Sequence, residues 1–197
     1  LSSFDKYIIY GTSRVSSNHP ELPFNLIDLD VTSTRSIETC VENIISQHGK
    51  LDILINNAGV GITGPMEETS NDEIEKHFKI NLYGPINLMK KVLPYMRENN
   101  SGLIINITSI AGHIGTPFRS IYSAGKSSLD IISETLNMET KGFNINVVCV
   151  APGDYLTNIS KGRYHSPIIK GSSYENKYKS SLDKMNENIK KGANPIK

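Results

Sequence analysis

The sequence predicts an α/β protein built on a doubly wound parallel sheet, and three observations carry that prediction. Apolar runs of strand length recur at 7–11, 24–29, 51–55, 102–107 and 144–150, with helical stripes between them. The run at 51–55 is almost continuously apolar, as expected of a strand in the middle of a parallel sheet. A length of 197 residues suits one domain, taken here as 1–197, with a sizeable core.

The elements follow in order. Residues 7–11 read as a buried strand that ends in Thr12-Ser13-Arg14, and 24–29 as a second strand running into Asp30-Val31-Thr32. Residues 33–48 carry Ile37, Val41, Ile44 and Ile45 on one helical stripe, which Gly49 ends; Asp30 or Thr32 is the candidate cap. The strand at 51–55 leads into Asn56-Asn57-Ala58-Gly59, where small residues let backbone approach a ligand and the Asn side chains can tie neighbouring strands together. Residues 71–95 read as a long helix, broken near Asn81, with Ile74, Phe78, Leu82, Ile86, Met89 and Leu93 on its apolar face. A buried Asn81 in that stripe could simply satisfy a backbone group. The strand at 102–107 ends at Thr108-Ser109, and 118–141 form a helix facing the core with Leu129, Ile132 and Leu136. After the strand at 144–150, Ala151-Pro152-Gly153 turns the chain. Beyond Ser160 the composition shifts to Lys, Ser, Asn and Tyr, with an amphipathic helix over 173–191 (Tyr174, Tyr178, Leu182, Met185, Ile189).

One motif misleads. Gly59-Val60-Gly61-Ile62-Thr63-Gly64 matches the G-x-G-x-x-G dinucleotide fingerprint, but those glycines must open a helix whose N-terminus receives a pyrophosphate. Here Pro65 follows, and the next helical pattern starts only around Ser70, so this is not a pyrophosphate loop.

The totals exclude several classes. Lys+Arg 21 against Asp+Glu 20 leave a formal charge of +1, which offers no whole-chain reason to expect nucleic acid or an anionic membrane. No apolar run reaches the roughly 18 residues of a membrane span. Cys40 and Cys149 do not make a disulfide framework, so a reducing, cytoplasmic setting is expected. The five histidines show no metal-binding spacing and read as surface or polar-core residues, so no metal is expected.

The chemistry concentrates at Tyr122-Ser123-Ala124-Gly125-Lys126. A Tyr and a Lys at i and i+4 of a helix share one face, and a fixed ammonium beside a phenol favours the phenolate, as acid/base work requires. Taken alone, the pattern also fits an ordinary solvated helix. Around it stand Asn56-Asn57-Ala58-Gly59, Asn81-Leu82-Tyr83-Gly84, Ser109 thirteen residues before Tyr122, and Pro152-Gly153 with Thr157 four residues on. In order and spacing, over about residues 6–160, this set resembles the short-chain dehydrogenase/reductase family, whose fold is Rossmann-like.

The resemblance implies an oxidoreductase that moves a hydride between a nicotinamide cofactor and a carbonyl or secondary alcohol. It implies Tyr122 as acid/base, Lys126 on the nicotinamide ribose, Ser109 on the substrate oxygen, and the backbone of Asn81 holding a relay water. It places Asn57, Ala58, Gly59, Pro152, Gly153, Tyr155 and Thr157 beside the cofactor, although Tyr155 stands where an aliphatic residue is usual. Asp30 would meet the adenine amino group and Val31 its ring. Ser13 and Arg14 fall where the family distinguishes a ribose hydroxyl from a 2′-phosphate; an arginine there favours NADP over NAD, and an ordinary surface arginine is the alternative. Ile110, His113, Phe118 and Tyr155 suggest a partly apolar substrate pocket, covered by 160–197. The helices around 81–97 and 118–141 suggest a homodimer or homotetramer. Members of the family open with a strand and a glycine-rich turn and close with a further strand, which leads us to expect a longer product. A catalytically silent NAD(P) sensor on the same fold is the rival function.

Overall fold

A computed structural model of the chain describes residues 7–18, 22, 24–153 and 162–191. Three strands, β3 (Ile53–Asn56), β5 (Gly102–Ile107) and β6 (Ile145–Val150), pair in parallel in the order β3-β5-β6. Beside them β1 (Tyr10–Ser13) and β2 (Asn25–Asp28) form a parallel pair, and β4 (Ile62–Thr63) pairs in parallel with β7 (Tyr164–His165). Helical crossovers explain the parallel arrangement of the three-stranded sheet, since a strand can return alongside its predecessor in the same direction only by crossing the sheet. The helices are α1 (Thr34–His48), α2 (Asn71–Phe78), α3 (Gly84–Glu98), α4 (Ser120–Thr140) and α5 (Glu175–Lys191).

The core follows from strand alternation. Gly102, Ile104 and Asn106 of β5, with Ile145 and Val147 of β6, are buried on the face that receives α3 and α4. Leu88, Met89, Val92 and Met96 from α3 and Leu129 from α4 close that layer, and Ile37, Cys40 and Val41 of α1 join it. The opposite face carries Ile53, Ile55, Val148 and Val150, each partly exposed.

Local signals account for most element ends. α1 starts at Ser33, whose hydroxyl accepts from the Ser36 amide at 3.3 Å, and ends at Gly49 in the left-handed region (φ 73°), with its N–H on the Ile45 carbonyl. The cap is therefore neither Asp30 nor Thr32. The Asp30 carboxylate instead accepts from the Thr32 amide and hydroxyl at 2.9 and 2.7 Å, an Asx-type turn that feeds the helix. The strand expected at 7–11 is displaced to Tyr10–Ser13, because its pairing with β2 begins only at Tyr10↔Asn25; Tyr7 and Ile8 are exposed.

The helix expected over 71–95 continues through a π-turn, Lys79–Tyr83, in which the Gly84 N–H reaches the Lys79 carbonyl. The expected break at Asn81 thus falls in the middle of that turn. α4 begins at Ser120, not at 118, because Phe118 sits in the left-handed region (φ 64°). The Phe118 carbonyl is taken by the Gly64 amide and the Thr63 hydroxyl, both at 2.9 Å. The same loop explains the false fingerprint: a Cβ on Gly64 would collide with the Ser166 side chain, so that glycine serves the packing of the β4–β7 region and opens no helix. The helix expected from 173 starts at Glu175; Tyr174, just before α5, and Tyr178, Leu182 and Met185 within it are turned inward, and the Tyr178 hydroxyl donates to the Thr63 carbonyl at 2.9 Å.

A polar chain crosses the buried face. Asn56 of β3 donates to Asn106 of β5 at 2.7 Å, and Asn106 donates to the Ser133 hydroxyl of α4 at 2.8 Å. This realises the strand-tying role expected of the Asn-rich stretch. Asn106 is 0% exposed, so its truncation leaves the Asn56 amide with neither protein nor water to bond. Asn106→Ala is expected to cost about 2–3 kcal/mol in denaturant unfolding.

Candidate active site

α4 carries Tyr122 and Lys126 one turn apart against the sheet. Lys126 is 4% exposed, and its ammonium donates to the Ile107 carbonyl at the carboxyl end of β5, 2.8 Å away. Burial pushes its pKa down to about 8, against the opposing pull of the Asp130 carboxylate. Tyr122 is buried against Ile62 and Ala111, with the Arg119 guanidinium 4.8 Å from its ring centre.

Ser109 follows β5 directly. Its hydroxyl oxygen accepts from the Ala111 amide at 3.2 Å and caps the single 3₁₀ turn Ile110–Gly112. The structural and the chemical readings of this serine coincide: the turn uses an oxygen lone pair and leaves the O–H free to donate. Asn81 faces the same centre from the π-turn, a helix defect frequent at functional sites. Its side-chain amide donates to the carbonyls of Val60 at 3.0 Å and His77 at 3.1 Å, and its oxygen accepts from the Val60 amide at 3.2 Å. A Cβ on Gly59 would lie 2.9 Å from the Asn81 oxygen and 3.6 Å from the Lys126 nitrogen, so Gly59, Asn81 and Lys126 converge on one point.

His77 belongs to this group and was not singled out from the sequence. It is 1% exposed, its ring lies 5.9 Å from that of Tyr122, and its Nδ1 is 3.0 Å from the Asn81 amide nitrogen. A Cβ on Gly125 would sit 2.9 Å from its Nε2, so the glycine of Tyr-Ser-Ala-Gly-Lys makes room for the imidazole. The available signal was the i,i+4 spacing from His77 to Asn81.

The other predicted positions gather at the carboxyl ends of the parallel strands, where open α/β sheets bind ligands. Ser13 ends β1 and Arg14 follows it; the Leu29 amide donates to the Ser13 carbonyl at 2.8 Å. The Thr32 hydrogen bonds, and then the Arg14 charge, lower the Asp30 carboxyl pKa, so Arg14 and Asp30 act on each other. Val31 packs against Gly84. Asn57 and Ala58 stand exposed past β3, and the Pro152 carbonyl accepts from the Ile110 amide at 3.2 Å, with Gly153 beside the Ile110 side chain. Tyr155 and Thr157 lie outside the described residues.

Of the expected pocket residues, Ile110 and His113 are exposed next to Ser109, whereas Phe118 packs its ring on Tyr174 and Tyr178. A nicotinamide dinucleotide fits this edge. Polar groups follow the carboxyl ends of β1, β3 and β5, and the Gly59 approach leaves backbone, with no side chain, facing the amine of Lys126. Among the described residues, no group of three His, Cys, Asp or Glu side chains is placed to hold a metal ion, and no helix is long and apolar enough to cross a membrane.

Comparisons with known proteins agree with this geometry. The short chain dehydrogenase family model matches residues 12–167. A 3-ketodihydrosphingosine reductase of Bacteroides thetaiotaomicron is 38% identical over 192 residues, 97% of this chain and 71% of that protein. A short-chain dehydrogenase from Streptomyces avermitilis superposes with a TM-score of 0.80 at 32% identity, covering 90% of this chain and 68% of the other. ElxO with NADP bound (TM-score 0.73, 28% identity) covers 79% of this chain and 67% of its own. An NAD+-bound xylitol dehydrogenase (TM-score 0.64, 30% identity) covers 67% and 51%. The chain thus spans about half to seven-tenths of these proteins.

Burial, together with the Lys126 charge, pushes the His77 imidazole down to about 4 from 6.5. Unfolded chains bind this proton near pH 6.5 and the folded chain only near 4, so the stability His77 contributes is complete above about 6.5 and is lost as pH falls to about 4. The loss is on the order of 3 kcal/mol. Unfolding free energy measured across that window should fall more steeply for the wild type than for His77→Gln.

Proposed function

The chain belongs to the short-chain dehydrogenase family, and from that premise we propose that it transfers a hydride between NADP(H) and a carbonyl or secondary alcohol of a small, partly apolar substrate. The observation that carries this reading is the burial of Lys126 at the carboxyl end of β5 close to Gly59 and Asn81, with Tyr122 one turn before it on α4 and Ser109 directly after β5.

In the reductive direction Tyr122 donates its proton to the substrate carbonyl oxygen, and in the oxidative direction it removes the alcohol proton. Ser109 donates its hydroxyl to the same oxygen and orients the substrate. The Lys126 charge favours negative charge at the Tyr122 oxygen, and its remaining N–H bonds suit ribose hydroxyls. The backbone of the π-turn at Asn81 holds the relay water that returns a proton to Lys126. Asn57, Ala58 and Gly59 admit the cofactor closely, Asp30 and Val31 take the adenine, and Ser13 and Arg14 take a 2′-phosphate. Pro152, Gly153, Tyr155 and Thr157 flank the nicotinamide, which supplies the hydride when bound.

The exposed Ile110 and Ile114 beside Ser109, and the relative named a 3-ketodihydrosphingosine reductase, support a ketone on an apolar chain as the substrate class. The segment 160–197 is proposed to cover it within a single domain, 1–197. Tyr83, Ile131 and Met138, exposed on the π-turn and α4, support a homodimer or homotetramer, and two free cysteines are in keeping with the cytoplasm.

Two measurements test the reading. Tyr122→Phe should lower turnover on a panel of ketones and alcohols by at least about a hundredfold while NADPH affinity stays within about twofold. Turnover near wild type would remove Tyr122 from the chemistry, and a wild type silent on the whole panel would favour a sensor. In fluorescence titrations NADPH should bind more tightly than NADH, and Arg14→Ala should weaken NADPH by about tenfold with NADH unaffected. An NADH preference would overturn the NADP assignment alone.

A further inference from the structure

The π-turn sets the Asn81 side chain among more acceptors than its amide has N–H bonds. The Val60 carbonyl stands 3.0 Å from the Asn81 amide nitrogen, the His77 carbonyl 3.1 Å and His77 Nδ1 3.0 Å. The Asn81 oxygen takes the Val60 amide at 3.2 Å. A turned-over amide would set its oxygen against those acceptors and its N–H bonds against the Val60 N–H. One orientation is left, and through it both polar groups of the Val60 backbone are held. The His77 ring also hydrogen-bonds the Val60 backbone.

An imidazole is not the simplest occupant of that place. It is 1% exposed, and its Nε2 is buried without a hydrogen bond among the described residues. Burial, together with the Lys126 charge, holds it neutral. Where Nε2 arrives, α4 carries a glycine: a Cβ on Gly125 would lie 2.9 Å from it. An apolar side chain would fill the same space with no orphaned nitrogen. What an apolar side chain lacks is the polar edge at Nδ1, which meets Asn81. The ring thus spans from the π-turn to the helix of Tyr122 and Lys126, with its centre 5.9 Å from that of the Tyr122 ring. Val60, in turn, follows Gly59 directly. A Cβ on Gly59 would lie 2.9 Å from the Asn81 oxygen and 3.6 Å from the Lys126 nitrogen, so holding the Val60 backbone holds the loop edge beside that amine.

We propose that His77 is a positioning residue: with Asn81 it clamps the Val60 backbone, and so sets the Gly59–Val60 loop and the π-turn against the helix that carries Tyr122 and Lys126. The catalytic consequence rests on the hydride-transfer reading; the clamp itself does not.

Three replacements separate the polar edge of His77 from its bulk. His77→Asn carries an amide where Nδ1 stands and can turn either an oxygen or an N–H toward Asn81 and Val60. His77→Gln carries its amide at the level of Nε2, and His77→Phe keeps a ring without nitrogen. Turnover should fall about tenfold in the Phe and Gln variants with KM for the carbonyl substrate within about twofold, and the Asn variant should stay within about threefold of wild type. In an Asn81→Ala background, His77→Phe should add no more than about a further twofold, because it acts through Asn81. Full turnover in the Phe variant, equal losses in all three, or losses that multiply with Asn81→Ala overturn the proposal. The clamp is also read without turnover: hydrogen exchange at the Val60 amide should quicken about tenfold in His77→Phe and stay near wild type in His77→Asn. Unchanged Val60 exchange in the Phe variant overturns the proposal as well. Should that variant fail to fold, the Gln and Asn variants carry both readouts. A protein inactive on every substrate whose Val60 exchange still separates these variants would sink the hydride-transfer reading and leave the clamp in place.

Discussion

The burial of the Lys126 ammonium is the constraint on which the rest of the site depends. An amine with 4% exposure and a 2.8 Å bond to the Ile107 carbonyl requires α4 to lie directly across the carboxyl end of β5. Beside it, Asn81 and His77 leave no room for side chains at Gly59 and Gly125, whose Cβ atoms would each lie 2.9 Å from them. The Asn56–Asn106–Ser133 chain locks β3, β5 and α4 together one layer below. Precision at the site is thus supported by the packed face of the sheet beneath it.

The π-turn is the second consequence. A regular α-helix from Asn71 to Glu98 would carry residue 81 in register with its neighbours. The widened turn at Lys79–Tyr83 instead places the Asn81 side chain where it bonds both the Val60 backbone and the His77 carbonyl. Such turns cost regular hydrogen bonding and persist where the surroundings offer other partners. Val60 and His77 are those partners.

Much of this was legible in the sequence because it rests on local rules. The strands announce themselves as apolar runs, α1 by its stripe and its glycine stop, and α5 by aromatic residues at helical spacing. The order and spacing of the motif residues pointed to the family, whose model matches residues 12–167. What was not legible depends on neighbours distant in sequence. Phe118 looks like the first residue of a helix, but its carbonyl is claimed by Gly64 and Thr63, and this draws it into the left-handed region. The start of α1 passed from Asp30 or Thr32 to Ser33 because Asp30 spends its carboxylate on Thr32. His77 and Asp130 each sit four residues from a recognised site residue, yet spacing alone cannot tell a buried face from a wet one.

His77, whose ring lies 5.9 Å from that of Tyr122, also bears on the charges around this tyrosine. Arg119 stacks on its ring, Lys126 lies one turn away, and His77, which could have been a third cation, is kept neutral by burial and by Lys126 itself. Protonating it would place a second cation beside Lys126 in the same dry volume. Arg119 therefore lies over the Tyr122 ring and Lys126 is buried one turn further along α4, two cations on the helix that carries the tyrosine. In the proposed reaction, positive charge fixed beside Tyr122 would favour negative charge developing on its oxygen. On that reading one set of charges would serve both cofactor binding and proton transfer, because the residues proposed for both follow the carboxyl ends of the strands.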